Sequence, residues 1–136
     1  MATLIYPHSA SLLIAGVIRE YMGNATVHLF KPSAPVLSAA VTKAQLEAHE
    51  CDFTGYAPIT VGEFTPPLLN PLGGASIQTG TVQFASAPPY TVGNMARGFY
   101  VVTNGGDLWA CGDFPQPVAF GGAGDGVPLD IQLIYG

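Results

Sequence analysis

The stretch "ARGFYVVTNGGDLWACGDFP", residues 96–115, decides the fold because it carries the clearest hairpin pattern in the chain. Residues 99–103 and 107–111 are extended runs, and the turn between them is Asn-Gly-Gly, residues 104–106. Asn-Gly supplies the positive φ angles that tight hairpin turns require. The pattern therefore predicts two antiparallel strands joined by this turn.

Shorter strand patterns lie before this hairpin. β-branched and aromatic residues alternate roughly every two residues in "ATVHLFK" (25–31), "YAPITVGEF" (56–64) and "ASIQTGTVQFA" (75–85). The intervening "TPPLLNPLGG" (65–74) is predicted to be a loop outside any strand ladder, because proline has no N–H to donate.

After the hairpin, residues 117–136 contain two further strand-like runs around "GGAGDG", Gly121–Gly126. We expect that segment to be a flexible hairpin loop, since it has no Lys followed by Ser or Thr and so lacks the phosphate-loop pattern. We count six or seven strands. They predict a mainly β fold, an antiparallel β-sandwich or partly open barrel, with one or two short helices in the N-terminal half.

The first predicted helix covers residues 9–22, and Gly23 is its predicted C-terminal stop. Five large apolar side chains recur in it at spacings of one, three and four, which places them along one face. They are Leu13, Ile14, Val17, Ile18 and Tyr21.

The second predicted helix begins after Thr42, because Gln45 three residues later completes a capping box. We expect about two turns of helix, ending near Gly55. A helix this short is unstable alone in water. Leu46 and Phe53 are therefore the expected anchors that pin it by tertiary contacts.

Composition bounds the function. The chain has 136 residues, enough for one core, and we treat residues 1–136 as a single domain. Only 10% of residues are charged, against about 25% in an average soluble protein, and the mean hydropathy is +0.36. This composition indicates an assembly subunit whose surface is covered by partners.

With four Lys and Arg and a net charge of −5, direct nucleic-acid binding is not expected.

Membrane insertion is also not expected. The apolar run "SLLIAGVI", residues 11–18, is shorter than the roughly 20 apolar residues of a membrane span, and no Lys or Arg precedes it as in a signal peptide. We expect a cytosolic product. Cys51 and Cys111 form no CxxC pattern, so reduced, packed thiols are the expectation and a disulfide is the lesser alternative.

Candidate chemistry is sparse. The densest group of potential ligands is "HECD", residues 49–52, which we interpret as an ordinary polar helix end because a zinc site needs four ligands. The chain has no GxSxG pattern for a nucleophile. We expect no enzymatic activity and assign no catalytic, cofactor-binding or metal residue. Four aromatic residues of the hairpin are interpreted as core or as part of a subunit contact: Phe99, Tyr100, Trp109 and Phe114.

Four short motifs, taken in order, resemble a family of small virion proteins of tailed bacteriophages. The first is "LFK" (29–31), and the second is "DFTGY" (52–56) after a short acidic helix. The third is "GFYV" (98–101), and the fourth is "LWA" (108–110). The resemblance covers nearly the whole chain and departs from the family at residues 65–80.

The resemblance implies a β-rich structural subunit of the virion, made in the bacterial host cytoplasm, with no catalytic residue to carry over. It implies that the helix after Thr42 caps one end of the sandwich, with Phe53 and Tyr56 buried there. The expected role is a capsid decoration or cement protein that binds the major capsid protein and forms a homo-oligomer. Two alternatives stay open: a tail, baseplate or head-to-tail connector component, and a carbohydrate- or receptor-binding module with an exposed aromatic platform.

Overall fold

The computed structural model of the protein describes residues 8–69 and 74–135. The described residues form two helices, both in the N-terminal half, and nine strands. In chain order the elements are α1 (His8–Tyr21), β1 (Thr26–Phe30), α2 (Lys43–Glu47), β2 (Ile59–Thr60), β3 (Leu68–Leu69), β4 (Ala75–Gln78), β5 (Val82–Ala85), β6 (Met95–Val102), β7 (Leu108–Ala119), β8 (Gly126–Leu129) and β9 (Gln132–Tyr135).

The strands form three antiparallel sheets. The largest has the order β2-β1-β6-β7, and the two smaller sheets have the orders β3-β4-β9 and β5-β8. Every described strand pair is antiparallel. The predicted mainly β, antiparallel architecture with helices in the N-terminal half is therefore confirmed, in a sandwich-like arrangement in which the described strands do not close into a barrel.

One hydrophobic core is shared by all three sheets and α1. Val27 and Val101 enter it from the four-stranded sheet, Ile77 from β4 and Phe84 from β5, and all are buried. Helix α1 contributes Ala15, and Met22 enters the core directly after the helix ends. Since the three sheets bury the same cluster, removing side chains from one sheet exposes apolar surface of the others.

A second, smaller core covers the opposite face of the four-stranded sheet. Phe30 and Tyr100 point into it from β1 and β6, and Leu46 of α2 packs over them, fully buried. Arg97 closes one side, with its guanidinium carbon 4.9 Å from the centre of the Phe30 ring and a hydrogen bond of 2.7 Å to the carbonyl of Pro35.

The predicted hairpin is confirmed as β6 and β7, although the position of the positive φ is wrong. Gly106 has φ of 92°, whereas Asn104 and Gly105 do not lie in that region. The Gly106 N–H donates to the carbonyl of Thr103, and the Thr103 N–H donates to the carbonyl of Asp107. The extra residues make the turn wider than a two-residue Asn-Gly turn, so the left-handed conformation moves to its last position.

The prediction that residues 65–74 lie outside any ladder is wrong in part. Leu68 and Leu69 follow two prolines and pair with Ser76 and Ala75 of β4. Both lack the proline ring, so their N–H groups are free to join the ladder. Residues 70–73 of the same segment lie outside the described residues.

The glycine-rich segment 121–126 was predicted to be a hairpin loop, and this is also wrong. It follows β7 of the four-stranded sheet and leads into β8, which pairs with β5 in the two-stranded sheet. The run 75–85 likewise divides into β4 and β5, which belong to different sheets. Such divisions explain why the strands outnumber the predicted six or seven.

The capping box of α2 is confirmed. The Thr42 hydroxyl accepts from the Gln45 N–H at 3.2 Å, and the Thr42 N–H donates to the Gln45 side-chain oxygen at 2.9 Å. The helix has five residues, shorter than predicted. Phe53 is buried after it and stacks on Phe120 with ring centres 4.2 Å apart, while Tyr56 is half-buried against the shared core.

Helix α1 ends at Tyr21, close to the predicted stop, and Asn24 rather than Gly23 takes the left-handed conformation, with φ of 58°. Among the described residues, no helix is both long and apolar enough to cross a membrane. A surface helix usually buries its large apolar residues, whereas α1 leaves several of them exposed. These exposed residues form the candidate site.

Candidate interaction surface

Helix α1 buries small residues, with Leu12 and Ile18 half-buried beside them, and exposes three other large apolar residues by half or more. Ser11 and Ala15 are fully covered. On the opposite face Leu13 is 73% exposed, Val17 67% and Tyr21 50%. Of the apolar face predicted from the sequence, only Ile18 packs against the core. A surface helix normally turns its large apolar residues inward, so this outward stripe calls for a physical reason.

The small residues explain how the helix can sit this way. Ser11 and Ala15, both fully covered, let the helix axis approach the sheets closely, and Gly16 lies beside Pro67, where an added Cβ would make an ordinary contact at 3.9 Å. Large side chains on this side would push α1 away from β3 and β4. Close packing of the small face therefore leaves Leu13, Val17 and Tyr21 pointing outward.

A β-bulge extends the stripe onto the neighbouring sheet. Val102 pairs with Leu108 and Val101 with Ala110, which leaves Trp109 as an extra residue on β7. Bulges turn side chains out of the normal alternation. The Trp109 ring is 36% exposed and lies with its centre 5.6 Å from that of Tyr21, tilted by 51°.

A hydrogen bond fixes this aromatic pair. The Tyr21 hydroxyl donates to Oδ2 of Asp107 at 3.1 Å, so the ring of Tyr21 is held between α1 and the start of β7. The apolar faces of Tyr21 and Trp109 remain accessible while the polar end of Tyr21 is satisfied. Such an arrangement is typical of aromatic residues at protein contacts.

The other side of α1 carries one more exposed leucine. Strand β3 packs beside α1, and Leu69 pairs with Ala75, which lies in the same core cluster as Ala15 of α1. Successive strand side chains alternate between faces, so Leu68 points to the other side of the sheet. Together the outward residues form what we call the α1 surface. It comprises Leu13, Ile14, Val17, Tyr21, Leu69 and Trp109.

The α1 surface is comparable in size to the largest apolar patch of a typical monomer. From the exposed fractions, its six side chains present on the order of 500 Å² of apolar area. The largest apolar patch of a typical monomer is about 300–600 Å², and patches of this size are often functional. The α1 surface therefore has the extent expected of a contact with another molecule.

Charge at the α1 surface is sparse. Residues 9–22 contain two charged side chains, Arg19 and Glu20. Arg19 is engaged within the fold, since its Nε donates to the carbonyl of Phe64 at 2.7 Å and its Nη2 lies 3.8 Å from Glu63. Glu20 and Asp107 remain at the Tyr21 end, so the surface is neutral over most of its length and acidic at one end.

A separate polar cluster lies on the second face of the four-stranded sheet. Nδ1 of His28 is 2.6 Å from Oε1 of Glu50, and Nε2 is 2.9 Å from the Thr26 hydroxyl. The Tyr56 hydroxyl donates to the same Glu50 oxygen at 2.6 Å and accepts from the Leu29 N–H at 3.1 Å.

Thr26, His28 and Glu50 place a hydroxyl, an imidazole and a carboxylate in a row, as in enzymes that use a nucleophilic hydroxyl. Here, however, Glu50 is shared with Tyr56, and the His28 ring stacks on Tyr100 with centres 4.6 Å apart. Burial, and then the hydrogen bond to Glu50, raise the pKa of Tyr56. Through Glu50 and Tyr56, the hydrogen bonds of the cluster hold the segment 50–56 against β1.

The residues of "HECD" do not converge. His49 bonds the Ser33 hydroxyl and Glu50 bonds His28, whereas Asp52 pairs with Lys31 at 2.9 Å. Cys51 is buried, and its thiol pKa is raised to about 12 by burial. Within residues 8–69 and 74–135, no three His, Cys, Asp or Glu side chains are grouped to hold a metal ion.

A cavity of about 320 Å³ opens between Lys31, Cys51, Phe53 and Asn94. Its thiol is protonated at neutral pH, and its lysine is already paired with Asp52. Both cysteines are free thiols, with Cys111 half-buried on β7. The cavity offers neither a nucleophile nor an uncompensated charge at these positions.

The four hairpin aromatics have different environments. Tyr100 is fully buried in the second core, and Phe99 and Phe114 are half-buried with ring centres 6.0 Å apart. Trp109 alone among them lies at the surface.

Comparison of the chain with protein families, curated proteins and solved structures gives no match.

Proposed function

We propose that this protein is a structural subunit of a tailed-bacteriophage virion, a capsid decoration or cement protein that binds the outer shell as a homo-oligomer. The observation that carries the proposal is the α1 surface, about 500 Å² of outward apolar area on a chain with 10% charged residues. Exposing such an area to water is unfavourable, and covering it stabilises whatever complex covers it. An assembly subunit has this property.

The placement of the motifs that resemble the phage family supports the same class. Phe30 pairs with Gly98 across β1 and β6, so "LFK" and "GFYV" are adjacent strands of one sheet. A Cβ on Gly98 would come within 2.6 Å of the Phe30 ring, which explains glycine at this position. "LWA" is the start of β7 in the same sheet. The shared motifs build a scaffold.

The mechanism would be mass action. A protein that binds the assembled shell, and not the separated capsid subunits, lowers the free energy of the shell relative to its parts. Each contact can be weak, because several copies held in one oligomer bind with avidity. No catalytic residue, cofactor or metal enters this mechanism.

The proposal is tested by the copy number of the protein in purified particles of the phage that encodes it, measured by quantitative mass spectrometry against the major capsid protein. We expect a number comparable to the capsid protein or a simple fraction of it, such as one third. A few copies per particle would move the proposal to the tail, baseplate or connector. Absence from the particle would refute it.

A second candidate function is favoured by one observation. Trp109 and Tyr21 are both partly exposed and adjacent, and Asp107 lies beside them. Aromatic faces can stack on the apolar face of a sugar, and a neighbouring carboxylate can accept hydrogen bonds from the sugar hydroxyls. Titration of the chain with host-surface glycans, followed by Trp109 fluorescence, separates the two: saturable binding would favour a carbohydrate-binding module.

A further inference from the structure

The geometry points to the α1 surface as the self-association site of this protein, with a second copy of the same chain packed antiparallel on α1 across a two-fold axis. This inference rests on the homo-oligomer in the proposed function and names the residues that would form it. It is carried by three properties of the surface: its area, its shape and the distribution of its charge.

The area matches what a dimer needs. A standard interface buries about 800 Å² on each partner, of which roughly 60% is apolar. This corresponds to about 500 Å² of apolar surface, close to what the six side chains of the α1 surface expose. Neighbouring polar groups would supply the remainder as the rim.

The shape suits a helix from a second copy. Leu13, Val17 and Tyr21 are four residues apart, so they form a straight ridge about 12 Å long on one side of α1. Ridges with this spacing pack into the grooves of another helix. In an antiparallel pair centred on Val17, Leu13 contacts Tyr21 of the partner subunit.

The charge distribution favours self-association. Glu20 and Asp107 stand at one end of the ridge, whereas residues 9–18 carry no charged side chain. An antiparallel arrangement puts the two acidic ends far apart and lays each against a neutral end. A parallel arrangement would bring like charges together, which is destabilising. A two-fold contact is also the commonest symmetry of homo-oligomers.

The test is sedimentation equilibrium of the purified full-length chain over a range of concentrations. We expect the wild-type mass to double with a dissociation constant in the micromolar range. Val17→Glu should weaken self-association by more than about 100-fold, because the dimer would hold two uncompensated carboxylates in an apolar contact. Val17 is 67% exposed, so at concentrations well below the dissociation constant, where the wild type is also monomeric, the variant should keep the wild-type thermal midpoint.

Two further proteins make the test specific. Val92 is 94% exposed in the loop before β6, and Val92→Glu should dimerise like the wild type. A one-to-one mixture of Val17→Glu and Val17→Lys should form a heterodimer although each alone is monomeric, since a two-fold axis near Val17 brings the opposite charges together. A monomeric wild type, a dimeric Val17→Glu protein or failure of the mixture to associate would each overturn the inference.

Failure of the self-association site and failure of the proposed function give different results in the sedimentation and copy-number experiments. A monomeric wild-type chain that is nevertheless present in many copies per particle would overturn the self-association site and leave the decoration role standing. A chain that dimerises through Val17 but is absent from particles would overturn the decoration role and leave the self-association site standing.

Discussion

The two helices that the structure describes, α1 and α2, bury their apolar residues in opposite ways. Helix α2 has five residues and buries one large side chain, Leu46, completely. Helix α1 has fourteen residues and leaves Leu13, Val17 and Tyr21 largely exposed. The short helix is held by its cap and its core contact, while the long helix packs through small residues with Leu12 and Ile18 beside them. An apolar helix face is therefore not by itself evidence of burial, and on α1 it is a surface available to a partner.

The largest expected effect is in the buried segment that follows α2. Phe53→Ala removes a ring that stacks on Phe120 in the shared core. We expect it to lower the free energy of unfolding by about 3–5 kcal/mol, because truncation of a buried phenylalanine leaves a cavity. Urea denaturation followed by circular dichroism measures this. Stability equal to that of the wild type would mean that this segment does not anchor the fold.

A matched pair of leucines compares the two helices directly. Leu46→Ala should cost about 2–5 kcal/mol, since Leu46 is fully buried in the second core. Leu13→Ala, on the exposed face of α1, should change stability by less than about 0.5 kcal/mol in dilute solution. Denaturation of both variants at low protein concentration provides the comparison. Equal losses would show that the outward face of α1 is covered within a single chain.

Alkaline pH tests the burial of the α2 region in another way. Burial raises the pKa of the Cys51 thiol to about 12, whereas an unfolded cysteine has a pKa of about 8.5. Between these values the folded chain binds more protons than the unfolded chain, so stability falls as pH rises. The contribution from Cys51 is at most about 1.4 kcal/mol per pH unit.

The matched variant for this prediction is Cys51→Ala. Its stability should decline less steeply than that of the wild type between pH 8.5 and about 10, as measured by urea denaturation at a series of pH values. The remaining slope comes in part from Tyr56, whose pKa is also raised by burial. Identical slopes in the two proteins would show that Cys51 titrates equally in the folded and unfolded states.

Local interactions account for what the sequence predicted well. The capping box of Thr42 and Gln45 and the β6–β7 hairpin each depend on residues that are close in the chain. The existence of these elements follows from such local signals, although the φ angles within the turn do not. The partner of β8 is β5, more than forty residues earlier, which a local pattern does not reveal, so the prediction for the glycine-rich segment is wrong. The pairing of β3 with the next strand, β4, is hidden by the prolines around it.

The candidate surface could be predicted only in part. Periodicity correctly placed Leu13, Val17 and Tyr21 on one face of α1, but it does not say what covers that face. The available signal was the spacing of Ser11 and Ala15, small residues four apart that permit close packing. The exposure of Trp109 follows from a bulge, which is set by strand register and not by the side-chain pattern.

Trp109 gives the most direct test of the claim that the α1 surface faces outward, because it is the only tryptophan of the chain. The measurement is acrylamide quenching of its fluorescence, first in dilute solution and then at concentrations where self-association is expected. We expect ready quenching in the dilute chain and protection on association, with Val17→Glu quenched at every concentration. Blue-shifted emission that resists acrylamide in the dilute chain would show instead that Trp109 is already covered within a single chain and that the α1 surface does not face outward.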